Sequence, residues 1–247
     1  LSLLPGCFRL ESAGRVAGAS FFFLSALVHK ALLRRDPTGR YRMHEVLRQY
    51  AEQELFHARE EHRQARDVHC KYFAQFLQDK QPQLKGAGQR RAVREISEEI
   101  ENIRAAWRWA VGQTRLAELS AALEGLSMFY QVRNWFQEGE EALGQAVECL
   151  RACRETSPRV QPFLLAKALA WQGDLLLPLS KHKQAELLLR ESLSLFRTLN
   201  APREEAFALN SLGELARLLG EYDRARGHHQ EALELYRQAG DSYGEAK

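Results

Sequence analysis

Residues 168–199 recur, position for position, forty residues further along the chain. Gly173 returns as Gly213, Ala185 as Ala225, Leu193 as Leu233, and Phe196 as the aromatic Tyr236. A fixed period of this size belongs to stacked helical repeats. Each unit is a pair of helices that cannot hide its apolar side alone and does so against its neighbours. Such an array presents an extended surface for partners and seldom carries out chemistry. The period therefore constrains both the fold and the mode of action, that of an interaction scaffold.

The units can be aligned by residue type. The first helix carries an apolar residue, Leu or Gln, Gly or Ser, then an apolar or aromatic residue. The second begins near an aromatic or His and a small residue. In the last two units these are Leu169, Gln172, Gly173, Leu176, His182, Ala185 and Leu209, Leu212, Gly213, Ala216, Tyr222, Ala225. A step of 46 back from the first of them reaches Leu123, Leu126, Ser127, Tyr130, Phe136 and Gly139, with six additional residues expected in a Ser/Pro-bearing loop around Glu155 to Pro162. Small residues recur where two helices must approach, and large ones where they fill the groove. The pattern resembles the tetratricopeptide repeat (TPR) in a forty-residue form, well over residues 115–238 and more weakly over 58–79 and 89–111. The family's terminal proline falls at Arg197 and Arg237 here.

The first third reads differently. Glu11–Val16 is expected as a short helix ended by Gly18, and Phe21–Leu32 as a second, with Leu24, Leu27, Val28 and Leu32 on one face and Phe21, Phe22 and Phe23 as core material. Leu32–Arg35 and Arg40–Met43 flank Asp36-Pro37-Thr38-Gly39, two β-capable runs about a turn. Helix, helix, hairpin is the order of a small winged-helix unit. From His44 to Gln81 no Gly or Pro interrupts helical spacing, and the charged stretch Glu60–Arg66 is the expected joint. Gln81–Gln89, with Pro82, Gly86 and Gly88, is expected as a loop, and about Gln89 to Val111 as a further helix. The expected divisions are a winged-helix domain over 1–57 with its first helix truncated, a helical connector over 58–114, and the repeat array over 115–247. The fold class is mostly α, an α-solenoid expected as a right-handed superhelix.

Tyr41-Arg42-Met43-His44-Glu45 takes the hairpin straight into a helix and puts His44 at its first turn. Free amides and the positive dipole end at a helix N-terminus suit an anion, to which an imidazole can donate. The passage resembles the Met-His-Asp motif in the winged helix of STAND signalling ATPases, the NB-ARC and NLR-like class. Its surroundings, His44-x-x-Leu47-Arg48-Gln49-Tyr50-Ala51 and Glu99–Val111 included, resemble the bacterial form. The resemblance implies that His44 senses the β-phosphate of ADP and that ADP or ATP is a cofactor of a longer protein. The third motif position is Glu45 rather than Asp. No Gly-x-x-x-x-Gly-Lys-[Ser/Thr] occurs in these residues, and Gly86-Ala87-Gly88 lacks the lysine and hydroxyl, so no cofactor and no catalytic residue are assigned to this stretch.

In the repeats, first-helix positions expected to line the concave face include Lys167, Asp174, Phe207, Asn210, Glu214 and Arg217. Asn210, Glu214 and Arg217 share one stripe that would grip a peptide backbone or carboxylate. The tryptophans Trp107, Trp109, Trp135 and Trp171 read as core filling rather than a ligand cage. His228 and His229 are adjacent, diverge on a helix, and cannot share a metal. Arg34, Arg35, Arg40 and Arg42 cluster on the hairpin and raise a DNA reading, against which stands an apolar second helix with few base-reaching groups.

A net charge of +3 with pI near 8.7 is too mild to imply nucleic acid or membrane by itself. Cys7, Cys70, Cys149 and Cys153 fit no zinc or redox spacing and read as reduced thiols of a cytoplasmic protein. The longest apolar run, Ala19–Leu33, is broken by His29 and Lys30 and is shorter than the roughly 20 residues of a membrane span. Glu245 and Ala246 stand forty after Glu205 and Ala206, as though another unit begins, so an excerpt of a longer polypeptide is expected. The expected partners are an upstream nucleotide-binding domain of the same polypeptide and a protein or peptide trigger on the array. A free-standing adaptor and a DNA-binding regulator remain the rival classes.

Overall fold

The computed structural model describes residues 1–153 and 159–245. The chain is mostly α-helical, with twelve helices and one two-stranded sheet among the described residues. It divides into two compact units, Leu1–Gly125 and Leu126–Lys247.

In the first unit, α1 (Leu10–Ala17) ends at Gly18, whose φ of 63° is the left-handed cap that glycine adopts without penalty. Helix α2 (Phe21–His29) starts at Ser20, whose hydroxyl accepts from the Phe23 amide at 3.2 Å. Strands β1 (Leu33–Arg35) and β2 (Tyr41–Met43) pair antiparallel with Leu33 opposite Met43. Asp36 closes the turn between them. Its Oδ1 accepts from the Thr38 hydroxyl and amide and from the Arg40 amide, and these bonds hold its carboxyl below the usual range.

Helix α3 (Glu45–His57) begins at His44 and is separated from α4 (Arg59–Leu84) by Ala58 alone, at φ −93°, ψ 73°. The joint is therefore not Glu60–Arg66. That stretch lies inside α4, where good helix formers and a Gln64–Glu60 bond one turn apart sustain it. Pro82 likewise sits in the last turn of α4, so the expected loop shrinks to 85–88 before α5 (Gln89–Gly112). Phe73, Leu77, Leu84, Ile96, Ile103 and Trp107 are buried where α4 and α5 pack. Helix α6 (Leu116–Arg133) approaches α4 at Gly125, where a Cβ would stand 2.7 Å from the Leu77 carbonyl oxygen. The division between the two units falls within α6.

The second unit continues with α7 (Phe136–Ala152), α8 (Val160–Leu176), α9 (His182–Leu199), α10 (Pro202–Leu218), α11 (Tyr222–Ala239) and the short α12 (Ser242–Glu245). Most of the loop expected at 155–162 lies outside the described residues. Val160, Gln161 and Pro162 prove to be the first turn of α8, where proline lacks nothing the helix needs.

The backbone repeats with the sequence. Asn134, Ser180 and Gly220, spaced 46 and 40, all have positive φ (56°, 58° and 79°). In each case the next amide, of Trp135, Lys181 or Glu221, donates back to Tyr130, Leu176 or Ala216. Asn200 and Gly240 end the second helices in the same way, at 52° and 66°. Packing repeats too. A Cβ on Gly173 would stand 2.7 Å from Leu189 Cγ, and one on Gly213 would stand 2.7 Å from His229 Cε1. Leu189 and His229 are themselves forty apart. The two glycines therefore have equivalent neighbours, as a stacked array requires.

Candidate functional site

Helices α8 and α10 carry the residues that the alignment singles out. Phe207 packs tilted against the buried Trp171 with ring centroids 4.5 Å apart, and Lys167 Nζ lies 5.9 Å from the centre of the Phe163 ring. Asp174 is bound inside the array. Its Oδ2 accepts from Gln131 Nε2 at 2.9 Å and its Oδ1 from Ser211 Oγ at 2.8 Å.

That ladder has a simple geometry. Shifted into the frame of the middle unit, Gln131 and Ser211 fall three residues after and three before Asp174. Each first helix therefore meets the next about one turn out of step, the relation of side-chain ridges three apart. Trp171 and Phe207 meet in the same sense, Phe207 being equivalent to position 167, four residues before Trp171. Asp174 thus serves the spacing of α6, α8 and α10.

Asn210, Glu214 and Arg217 do share one stripe of α10, and α11 adds His229 to it. His229 Nδ1 is 2.9 Å from Asn210 Oδ1, and its Nε2 is 3.6 Å from Glu214 Oε1. Arg217 donates through Nε and Nη2 to the other Glu214 oxygen, at 3.0 and 2.8 Å. Sequence reasoning named His229 only to dismiss a metal pair with His228, and did not place it on this stripe. The signal lay in the repeat itself: leucine stands at 143 and 189, histidine at 229, while Ala170 becomes Asn210. Both apolar partners change together.

In the first unit His44 is the N-cap of α3, exposed, and its side chain makes no bond to the α3 amides. The neighbouring Glu45 carboxylate is taken by Arg48 at 2.7 Å and by Gln49 at 3.0 Å, which hold it down to about 2. The hairpin arginines do not act together. Arg40 is buried, donating to Glu99 at 2.5 Å and to the Cys7 and Glu98 carbonyls, while Arg35 lies over the Tyr41 ring. Only Arg34 and Arg42, directly opposite on the two strands, present an exposed basic pair.

The expectation that Phe21, Phe22 and Phe23 are core fails. They are 48%, 83% and 52% exposed, while Leu24 alone of α2 is fully buried. Helix α2 is apolar all round, yet only one edge of it meets the unit. Helix α3 buries no residue, and its Val46 and Tyr50, one turn apart, are open to solvent.

Other chemistry-bearing groups are structural. Burial pushes the Cys70 thiol up to about 12, and it donates to the Ala106 carbonyl at 3.4 Å. The four tryptophans are dispersed, with Trp109 bonding Asp67 and Trp135 packing on Phe129. No group of three metal-binding side chains converges among the described residues, and no helix there is long and apolar enough to cross a membrane.

The tetratricopeptide repeat family model matches residues 164–238, which span α8 to α11. No curated protein matches the chain. A crystal structure of a Signal Transduction ATPase with Numerous Domains (STAND) protein with a tetratricopeptide repeat sensor, from Pyrococcus horikoshii, is 15% identical with a TM-score of 0.38. It covers 99% of this chain, which spans 44% of that protein's length.

Proposed function

We propose that this chain is the sensing and relay part of a STAND-type signalling ATPase. The helix pairs hold a protein or peptide trigger along the α8 and α10 face. The α1–α2–β1–β2–α3 segment, taken as a winged helix with its first helix truncated, relays that event to a nucleotide-binding domain elsewhere in the polypeptide. ADP or ATP belongs to that domain, and the residues in hand have no catalytic role.

The observation that carries the reading is the surface of the first unit. Phe21–Phe23 on α2 and Val46 and Tyr50 on α3 are exposed large apolar side chains of the kind that mark interaction surfaces, and His44 opens the helix that bears two of them. A ligand that favours one arrangement of the relay shifts the population of the open state. In the protein that carries the nucleotide-binding domain, His44→Ala is expected to raise the basal ATPase rate or oligomerisation. A rate and assembly state equal to wild type would remove His44 from nucleotide sensing.

A further inference from the structure

The bend between α3 and α4 is a matter of one torsion. Glu45–Leu84 would be a single helix but for Ala58, whose φ of −93° is within about 30° of the helical value while its ψ of 73° is not. Turning that ψ by about 115° joins the two helices. Alanine has the highest helix propensity of any residue, and no glycine or proline lies between His44 and Gln81. No side chain caps the start of α4, so in a continuous helix the amides of Arg59, Glu60 and Glu61 would gain the carbonyls of Leu55, Phe56 and His57. The sequence thus favours one rod, and the contacts around it impose the bend. Arg66 of α4 pairs with Glu52 of α3, although a separation of 14 residues would set them about 21 Å apart along one rod. The Phe56 and His62 rings meet edge to face, with centroids 5.6 Å apart. Helix α3 itself buries none of its residues.

Beside the packing of α1 on α4, the bonds that hold residues 1–57 to α4 and α5 are polar. Arg40, at the end of the hairpin turn, donates to Glu99 at 2.5 Å, to the Glu98 carboxylate at 3.2 Å and to the Glu98 carbonyl at 2.9 Å. Arg9 donates to Glu98 at 2.6 Å. Asn102, fully buried, accepts from the Gly6 amide and donates to the Cys7 carbonyl, both at 3.2 Å, and these two backbone groups of opposite kind fix which way its amide points. An interface of this kind can part, because water satisfies each group that it separates. Strand β2 enters α3 through His44 alone, so α3 cannot straighten unless the hairpin leaves α5. Arg40 is therefore the latch on the bend at Ala58.

We propose that residues 1–57 swing off α4 and α5 as α3 and α4 fuse at Ala58, and that the cluster of Arg40, Glu99 and Asn102 holds them docked. The fused helix, Glu45–Leu84, would span about 60 Å. For its use the swing rests on the relay reading given above, to which it adds the moving part. It carries His44, Val46 and Tyr50 along, and so moves the surface assigned to the nucleotide-binding domain relative to α4 and α5.

The test places nitroxide labels on p-acetylphenylalanine at Gln53 and Gln78, both exposed, in the whole chain, and reads their separation by double electron–electron resonance. Docked, the labels should lie about 20–25 Å apart, because Glu52 touches Arg66 and about 18 Å of helix runs from there to Gln78. Fused, they should lie about 38 Å apart in a narrow distribution. Wild type is expected to show the short distance, and Arg40→Gln to add the long one. Should Arg40→Gln fail to fold, Glu98→Gln, which loosens both Arg9 and Arg40 from a half-exposed position, carries the same expectation. Ala58→Gly added to either variant should cut the long fraction about fivefold, the effect of glycine for alanine inside a helix. The short distance alone in both latch variants overturns the proposal. So does a broad long component in place of a narrow one, or a long fraction indifferent to Ala58→Gly. The labels report on this chain alone, so such a failure strikes the swing, whereas the relay reading stands or falls by the His44→Ala comparison in the protein with its nucleotide-binding domain.

Discussion

His69 offers the sharpest physical test of the first unit. It lies in α4, 1% exposed, with its ring 4.8 Å from that of Phe73 and its Nε2 lacking a hydrogen-bond partner. Burial, with help from the nearby Arg66 charge, pushes its pKa down to about 3 from an ordinary value of 6.5. The folded chain therefore keeps this ring neutral at a pH where the unfolded chain protonates it.

The sign follows from proton linkage. Between pH 6.5 and 3 the unfolded state binds the extra proton, so stability rises with pH there. The contribution is fully present above 6.5 and is lost as pH falls toward 3. From pH 7 to pH 5 the loss amounts to about 2 kcal/mol at roughly 1.4 kcal/mol per pH unit. His69→Leu keeps the volume and removes the titration. Urea unfolding of both proteins at pH 7, 6 and 5, followed by tryptophan fluorescence, should give profiles that diverge by that amount. The half-buried His62 and His228 and the acid-range carboxylates titrate equally in both and cancel. Parallel profiles, or a His69 ring that titrates near 6.5, would refute the placement of His69 in the core.

Two further substitutions probe the packing. Ala225→Arg forces a long charged chain into the contact that Ala225 and Ala185 occupy in successive units, and should cost about 2–4 kcal/mol in a thermal or urea melt. A variant that melts like wild type would misplace the register. Arg40→Ala should cost about 3–5 kcal/mol, because Glu99 would be left buried beside Asn102 with no cation. Adding Glu99→Gln should recover part of that loss, and additive costs in the double-mutant cycle would show that the two residues do not couple.

The repeat unit was legible because its rules are local. A residue with positive φ between helices selects Asn, Ser or Gly, and a crowded helix crossing selects Gly or Ala, wherever the next unit begins. Gly173, Gly213, Ala185 and Ala225 advertise that geometry in any single unit. The joint at Ala58 was hidden for the opposite reason. Nothing in an alanine between His57 and Arg59 marks a break, and the break there comes from how α3 and α4 meet. Phe21–Phe23 misled because apolar character indicates burial against something without saying that the partner belongs to the same fold. Arg40 misled because its sequence neighbours, Arg34, Arg35 and Arg42, suggest a shared surface. Antiparallel pairing puts Arg34 and Arg42 outward together, while Arg40, at the end of the turn, reaches back to α5.

Where the array departs from its own period appears only when the units are compared with one another. Identity between units records what stacking demands: the left-handed turn residues, the glycine under position 189 or 229, and the one-turn stagger that Gln131, Asp174 and Ser211 bridge. Departure from identity records what stacking does not demand. Exchanging a buried leucine for histidine costs apolar burial, on the order of 1–3 kcal/mol. An array under selection for stability alone has no reason to accept that cost at one unit. The cost is moderated by Asn210, which satisfies one ring nitrogen, and the other nitrogen is directed at a half-exposed carboxylate. A substitution that comes with its own compensating partner, at a position the fold would fill with leucine, marks where this periodic scaffold departs from its period.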